Sequence, residues 1–267
     1  MKEFYSRCIQ IYEDYREAVP SYASAALAFY LLLILVPSFT LIAIGTSFLN
    51  LDLTFLENII QGIVMPEYSS IIIEVLETRS FNTVAFVTMI ISLYTVSRGV
   101  GNIYEISKHM YGDSEDESIF GYYIYTFKIT IYLLLLIIGL IAVLAIKPLA
   151  YIYDILYPLF GVKHIILYFF MVFALMSIYL LVPRVKIHYS DAFQGALVAS
   201  VLMLVLFYGF NIYIEFANFQ SVYGPLAFVV IILFVFNWAA EIFYLGMYIT
   251  NILHLRRSSN EKRTSRN

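Results

Sequence analysis

Arg98 and Glu241 are the residues whose type and surroundings most suggest chemistry, because each lies inside a long apolar stretch. A charged side chain in such surroundings is costly unless it has a partner or a function. Counted from Phe81 and Gly224, where the two stretches begin, Arg98 and Glu241 lie equally far along, so in two parallel helices they share one depth. We predict an ion pair that is either a substrate or proton site or a structural clasp. Alternatively, Arg98 extends its side chain to the polar surface.

Neighbouring polar side chains extend this candidate site. Asn237 lies one helical turn before Glu241, and Asn102 is one of several polar residues in the stretch that contains Arg98. Asn211 and Glu215 share a helical face in the stretch that precedes Glu241. These two either line a polar cleft with the Glu241 helix or lie among lipid headgroups.

The sequence lacks the residue patterns of common hydrolases and metal sites. Its four histidines are scattered, and neither an HExxH zinc pair nor a GxSxG nucleophile turn occurs. The 267 residues contain no GxxxxGK[ST] nucleotide-binding loop, and the lone Cys8 excludes an internal disulfide. We therefore expect a protein that is not an enzyme, with no catalytic residues, no metal and no cofactor.

The elements that must position these residues are transmembrane helices. Of the 267 residues, 61% are hydrophobic and 13% are charged, and the mean hydropathy is +0.82, whereas soluble domains carry about 25% charged residues. A helix needs about 20 mostly apolar residues to cross a bilayer. The sequence predicts an all-α integral membrane protein whose membrane domain, residues 21–254, has six transmembrane helices, at about 25–49, 83–106, 127–146, 165–182, 192–214 and 225–250.

Basic residues predict the orientation of these spans. Of the 16 Lys and Arg residues, all except Arg79, Lys147 and Lys163 fall on or near one side, and such an excess marks the cytoplasmic side. Both termini are therefore predicted to be cytoplasmic. Residues 1–20 are predicted to form a cytoplasmic amphipathic segment, and residues 51–80 to form amphipathic helices on the outer, extracytoplasmic face. Residues 255–267 are expected to be a basic cytoplasmic tail that binds anionic headgroups and is otherwise disordered.

The stretch from Ala26 to Tyr30, followed by Pro37, resembles the first-span signature of the YihY/BrkB family of bacterial inner-membrane proteins. Further matches follow in order along nearly the whole chain, at Ser97, Asn102, Pro183, Arg184, Asp191, Gly195, Ala196, Tyr213, Tyr223, Gly224, Leu226, Leu245, Gly246 and Asn251. The resemblance implies a six-span protein of the bacterial cytoplasmic membrane. It also implies structural roles for the motif residues Pro37, Pro183, Gly195, Tyr223, Gly224 and Gly246.

One departure from the family pattern concerns a glutamate. The family usually shows Gly-Ala-Glu near the end of the last span, whereas here Gly246 is followed by Met247 and Tyr248. A mechanism that uses the family glutamate therefore does not carry over directly. Glu241 either substitutes for that residue or is unrelated to it.

The polar interior favours a transporter-like protein for a small solute or an amphiphile such as a lipid. The alternative is a non-catalytic membrane scaffold for envelope proteins, which would tolerate apolar replacement of Asn211, Asn237 and Glu241. Some members of the family have carried a ribonuclease label, but no clustered acids here could hold two metal ions. The expected partners are membrane lipids, a small-molecule or lipid cargo and further copies of the chain, and not nucleic acid.

Overall fold

The computed structural model describes residue 10 and residues 12–48, 83–113, 118–144, 162–216 and 224–264. Within these ranges the chain forms helices, turns and short irregular segments without a strand, which confirms the predicted all-α fold. The helices are α1 (Tyr12–Ala18), α2 (Tyr22–Phe48), α3 (Thr83–Tyr111), α4 (Ile119–Leu144), α5 (Val162–Leu181), α6 (Tyr189–Phe216) and α7 (Gly224–Thr264).

The structure contains helices suited to a membrane. Among the described residues, Ile119–Gly139, Tyr189–Phe210 and Val230–Glu261 are long and apolar enough to cross one, and they overlap the predicted spans 127–146, 192–214 and 225–250. Helices α1 and α2 would add a fourth if they form one broken span, and Tyr168–Leu181 is a shorter apolar helix. The count of six spans stays a prediction, and the predicted outer helices of residues 51–80 lie outside the described residues.

Pro20 causes the break between the first two helices. A proline lacks a backbone N–H and disfavours helical geometry at the preceding residue, so α1 ends before Val19 and Pro20. Tyr12–Ala18 and Tyr22–Ile34 meet at an angle of 57°. The carbonyl of Pro20 accepts a hydrogen bond from the N–H of Ala23 at 2.9 Å, which starts the next helix.

The chain divides into two compact units, of which the first comprises Met1–Leu32, Gly101–Glu117 and Tyr168–Asn267. Here α6 and α7 pack closely, because Gly195 and Gly246 present no side chains at their contact. The core is completed by buried residues of α1, α3 and α5, among them Tyr15, Ile106 and Leu175. His109 near the end of α3 contacts the carbonyl of Glu17 at 3.1 Å, which fixes α1 against this core.

The second unit comprises Leu33–Val100 and Ser118–Leu167. Its described side chains belong mainly to the first part of α3 and to α4. Thr126 and Thr130 are buried on α4 and donate to carbonyls of the preceding turn, at 3.0 Å and 2.8 Å. Hydroxyls that bond to their own helix let polar side chains sit in an apolar environment.

Helix α7 continues through most of the predicted C-terminal tail, as far as Thr264. The disorder predicted for this segment was therefore wrong for residues 255–264. Arg257 binds Asp191 in the first turn of α6 with both carboxylate oxygens engaged, at distances between 2.8 and 3.2 Å. This contact holds the end of α7 against the start of α6.

Candidate functional site

Glu241 is the centre of a charged contact in the first unit. Its Oε1 lies 2.7 Å from Nη2 of Arg16 and accepts a hydrogen bond from the Tyr15 hydroxyl at 3.1 Å. Its Oε2 accepts a hydrogen bond from the hydroxyl of Ser24. The carboxylate thus receives donors from both α1 and α2, on the two sides of the Pro20 break. We call Tyr15, Arg16, Ser24 and Glu241 the Glu241 cluster.

Aromatic rings surround the guanidinium of this cluster. The guanidinium carbon of Arg16 lies 5.3 Å from the ring centroids of both Tyr12 and Tyr15. The Nε of Arg16 donates a hydrogen bond to the Tyr12 hydroxyl at 3.2 Å. Arg16 and Glu241 are partly buried, with side-chain exposures of 31% and 25%. Contact with aromatic faces stabilises the cation, and partial removal from water strengthens its attraction to the carboxylate. The cluster therefore holds charge in a place that water reaches only in part.

A second group of polar contacts joins α7 to its neighbours. The Tyr244 hydroxyl donates to Oδ1 of Asn102 at 3.1 Å, and the Tyr179 hydroxyl donates to the carbonyl of Phe243 at 2.8 Å. Asn251 donates from Nδ2 to the carbonyl of Met110 at 2.9 Å. Buried Tyr179, Tyr244 and Asn251, together with the half-buried Asn102, thus form hydrogen bonds between helices of the first unit. Asn102, a predicted site residue, belongs to this group.

Tyr111 lies at the end of α3, beyond the predicted span 83–106. Burial raises the pKa of its hydroxyl above the ordinary value, because a phenolate loses hydration when it is removed from water. The neutral hydroxyl is a donor, and the carbonyl of Met247 lies 3.5 Å away. This contact belongs to the same face of α7 as the bonds of Tyr179 and Asn251.

Arg98 belongs to the second unit and lines a cavity of about 320 Å³ there. Its Nη1 donates to the Tyr123 hydroxyl at 3.1 Å, and its guanidinium carbon lies 6.0 Å from the centroid of the same ring. Glu241 belongs to the first unit, where Arg16 is its cation. The predicted Arg98–Glu241 pair stays a prediction.

The remaining predicted residues are placed as follows. Asn237 is half-buried on α7, and Pro183 is buried just after α5. Gly224 begins α7, and Pro37 lies within α2 without interrupting it. Asn211 and Glu215 fall within α6, but their side chains, like the whole of Tyr223, lie outside the described part of the structure.

Sequence reasoning missed Arg16, Tyr15, Ser24 and Arg257 as contact residues. The useful signal for the first two was the amphipathic pattern of residues 1–20 ending at Pro20, which allows this segment to turn back against the bundle. Arg257 was assigned to headgroup binding because it lies in a polar, basic run. A single sequence does not show which acid a surface arginine reaches.

The described ranges offer no group of three or more His, Cys, Asp or Glu residues placed to hold a metal ion. The Glu241 cluster supplies one carboxylate, one guanidinium and two hydroxyls. This set can hold a proton or a polar ligand group by hydrogen bonds and charge. It lacks the several oxygen ligands that a calcium ion takes.

Comparison with known proteins gives a match over nearly the whole chain. A family model described as Virulence factor BrkB matches residues 11–267. A UPF0761 membrane protein of Photobacterium profundum is 43% identical over 99 residues, which are 35% of this chain and 31% of that protein. A UPF0761 membrane protein of Vibrio atlanticus is 48% identical over 56 residues, 21% of this chain and 18% of that protein.

The matched regions therefore span about a third or less of these curated relatives. A further UPF0761 membrane protein, from Vibrio parahaemolyticus, is 39% identical over 83 residues and is covered over 26% of its length. No solved structure shows a significant match to the chain. The names of these relatives describe membrane proteins and state no activity.

Proposed function

This chain belongs to the BrkB family of membrane proteins, and from that premise we propose that it moves a small solute or an amphiphile across a bacterial cytoplasmic membrane. In this proposal it is a multi-pass protein with both termini in the cytoplasm and does not act as an enzyme. Membrane lipids surround it, further copies of the chain accompany it, and nucleic acid is not a partner. The proposal takes its topology from the distribution of Lys and Arg.

The Glu241 cluster is the observation that carries this proposal. Val230–Glu261 is a candidate membrane span, and it places a carboxylate where Arg16, Tyr15 and Ser24 meet it. Ionisable groups within membrane spans are rare and mark ion or substrate pathways, because they are costly to keep.

The position of the cluster at a break between helices also favours transport. Transporters commonly bind their substrates and coupling ions where a helix is interrupted. Here the interruption at Pro20 separates the two helices that donate to Glu241. Removal of the negative charge of Glu241 would weaken its bond to Arg16 and free the two helices to change their angle. We propose that this change accompanies the movement of cargo.

A flux experiment on the full chain tests the proposal. Purified protein in vesicles that contain a fluorescent phospholipid is treated with a membrane-impermeant quencher, and the rate at which inner-leaflet lipid becomes accessible is measured. We expect wild-type vesicles to exceed protein-free vesicles, and Glu241→Gln to lower the rate toward the protein-free value. Glu13→Gln, which removes an exposed carboxylate from α1, is expected to leave the rate unchanged.

A parallel uptake measurement with a panel of small charged and polar solutes covers the other cargo class. The proposal is wrong if wild-type protein raises neither lipid flux nor solute flux. The role of Glu241 in transport is wrong if the folded Glu241→Gln variant retains the full rate. A scaffold would then be the better explanation, and the same Glu241→Gln protein would still bind its envelope partners in crosslinked membranes.

A further inference from the structure

Helix α4 presents a stripe of exposed side chains that contains one cation. Ile124, Tyr132 and Leu135 are large and apolar, yet they are 54%, 50% and 59% exposed. Lys128 is also exposed, and it lies one helical turn after Ile124 and one turn before Tyr132. Because side chains three and four positions apart lie on the same face of a helix, these four residues form one surface. We call them the Lys128 stripe.

The other side of the same helix is covered by protein. Thr126, Ile129 and Thr130 are buried there, and the two threonines donate to carbonyls of their own helix. The stripe belongs to the candidate membrane span Ile119–Gly139. A helix that is apolar on its exposed side as well as on its buried side is typical of a membrane span. The stripe is therefore the side of α4 that meets lipid.

The positive charge of Lys128 is not offset by an acid of the protein. Its Nζ lies 5.7 Å from the ring centroid of Tyr132. Within the part of the chain that the structure describes, no carboxylate pairs with Lys128 and no atom accepts a hydrogen bond from the Tyr132 hydroxyl. A cation on a membrane helix is costly unless it finds a partner. The stripe thus offers a charged donor and a neutral donor, one turn apart, to a molecule outside the protein.

Lys128 lies toward the end of α4 that is predicted to face the cytoplasm. It belongs to the basic residues that the sequence places on that side, and it lies in the first half of α4. A lysine there can bury its carbon chain along apolar surface and keep its ammonium at the depth of the headgroups. The cytoplasmic leaflet is rich in anionic lipids, so phosphate oxygens are the acceptors at hand.

We infer that the Lys128 stripe binds an anionic phospholipid of the cytoplasmic leaflet, with its phosphate at Lys128, its ester oxygens near the Tyr132 hydroxyl and an acyl chain along Leu135. Charge selects this occupant. An ammonium without an acid beside it attracts a headgroup of net negative charge, whereas the choline of a zwitterionic lipid offsets its phosphate. Lipid binding at this face requires no transport, so the inference goes beyond the proposed function and applies equally to a scaffold.

Lipid retention by the full chain tests the inference. Detergent-purified protein is incubated with equimolar phosphatidylglycerol and phosphatidylcholine of identical acyl chains. Bound lipid is counted by native mass spectrometry, which also gives the oligomeric state. We expect wild type to prefer phosphatidylglycerol. Lys128→Gln should lower the affinity for phosphatidylglycerol about tenfold, as expected for the loss of a charge-assisted hydrogen bond, and Lys128→Arg should retain the preference.

Lys186→Gln is the matched control. Lys186 is an exposed lysine in the connection between α5 and α6, outside the candidate spans. Its replacement removes the same charge without altering the stripe, so the lipid preference should stay unchanged. Tyr132→Phe removes only a hydroxyl, and it should lower the retention of phosphatidylglycerol by less than Lys128→Gln does.

Equal retention of the two lipids by wild type would overturn the inference, as would an unchanged preference in Lys128→Gln. A loss with Lys186→Gln as large as that with Lys128→Gln would also overturn it, because net charge alone would then explain the preference. A change of oligomeric state in Lys128→Gln would mean that a second copy of the chain, and not lipid, covers the stripe. These outcomes do not depend on flux, so the transport proposal and the lipid site can fail separately.

Discussion

The bond between Asp191 and Arg257 is the residue-scale contact with the simplest test. Asp191 is 2% exposed, and Arg257 is its ion-pair partner. We expect Arg257→Gln to lower the melting temperature of the detergent-purified protein by several degrees, because it removes the cation that is paired with a buried carboxylate. Trypsin should then cut the end of α7 faster, because that end loses its anchor.

Arg256→Gln is the control for this prediction, because Arg256 is the neighbouring arginine and is exposed. It should leave melting and proteolysis unchanged. The double variant Asp191→Asn with Arg257→Gln should melt above Arg257→Gln alone, because it leaves no unpaired charge. If the two single arginine variants melt alike, the ion pair does not anchor α7.

Individual charges were easier to identify from the sequence than their partners. The cost of a carboxylate in an apolar stretch identified Glu241, and the structure places it in a cluster. Depth along a helix cannot predict a partner, because it gives neither the direction of the side chain nor the path of segments outside the spans. Arg16 reaches Glu241 only because the chain turns at Pro20, which places α1 beside α7.

At the scale of elements, the contact between α6 and α7 depends on two glycines. A Cβ added at Gly246 would lie 2.7 Å from Cβ of Ala199 and 3.0 Å from the carbonyl oxygen of Gly195. The first distance is shorter than real Cβ atoms show and the second is a tight contact, so Gly246→Ala must shift the two helices. We expect a loss of about 1–3 kcal/mol, typical of overpacking, measured as a lower melting temperature by fluorescence-detected gel filtration.

Gly209 provides the matched control within the same helix pair. It lies on α6, and a Cβ added there meets no atom within 4 Å. Gly209→Ala should be neutral or stabilising by up to ~1 kcal/mol, because alanine favours the helix more than glycine does. Equal destabilisation by the two alanine variants would mean that helix packing at Gly246 is looser than the geometry indicates.

The sequence predicted the existence of elements better than their ends. Apolar stretches located α4, α6 and α7, because hydrocarbon-length runs leave few alternatives. Residues 255–264 were expected to be disordered because they are polar, yet they continue α7. A helix that is already formed adds residues at little cost, and Arg257 is fixed to Asp191 at its end. Local polarity alone therefore gave the wrong end for this helix.

At the scale of the whole molecule, the number of spans determines where the ends lie. The candidate spans of the described residues number three, or four with the broken pair α1 and α2. An odd number places the termini on opposite sides of a membrane, whereas the predicted six places both in the cytoplasm. The sides of the membrane on which the two termini lie thus show whether the number of spans is odd or even, without a further structure.

Labelling of single cysteines in intact cells measures this location. Cys8 is the natural cysteine of the chain, and Cys8→Ser with Ser259→Cys moves the thiol to an exposed position near the C-terminus. With both ends in the cytoplasm, a membrane-impermeant maleimide should label either thiol only after the cells are permeabilised. In a Cys8→Ser background, Ser80→Cys, in the predicted outer connection 51–80, should be labelled in intact cells because that side faces outward. Labelling of one terminus and not the other in intact cells would require an odd number of spans and would overturn the six-span topology.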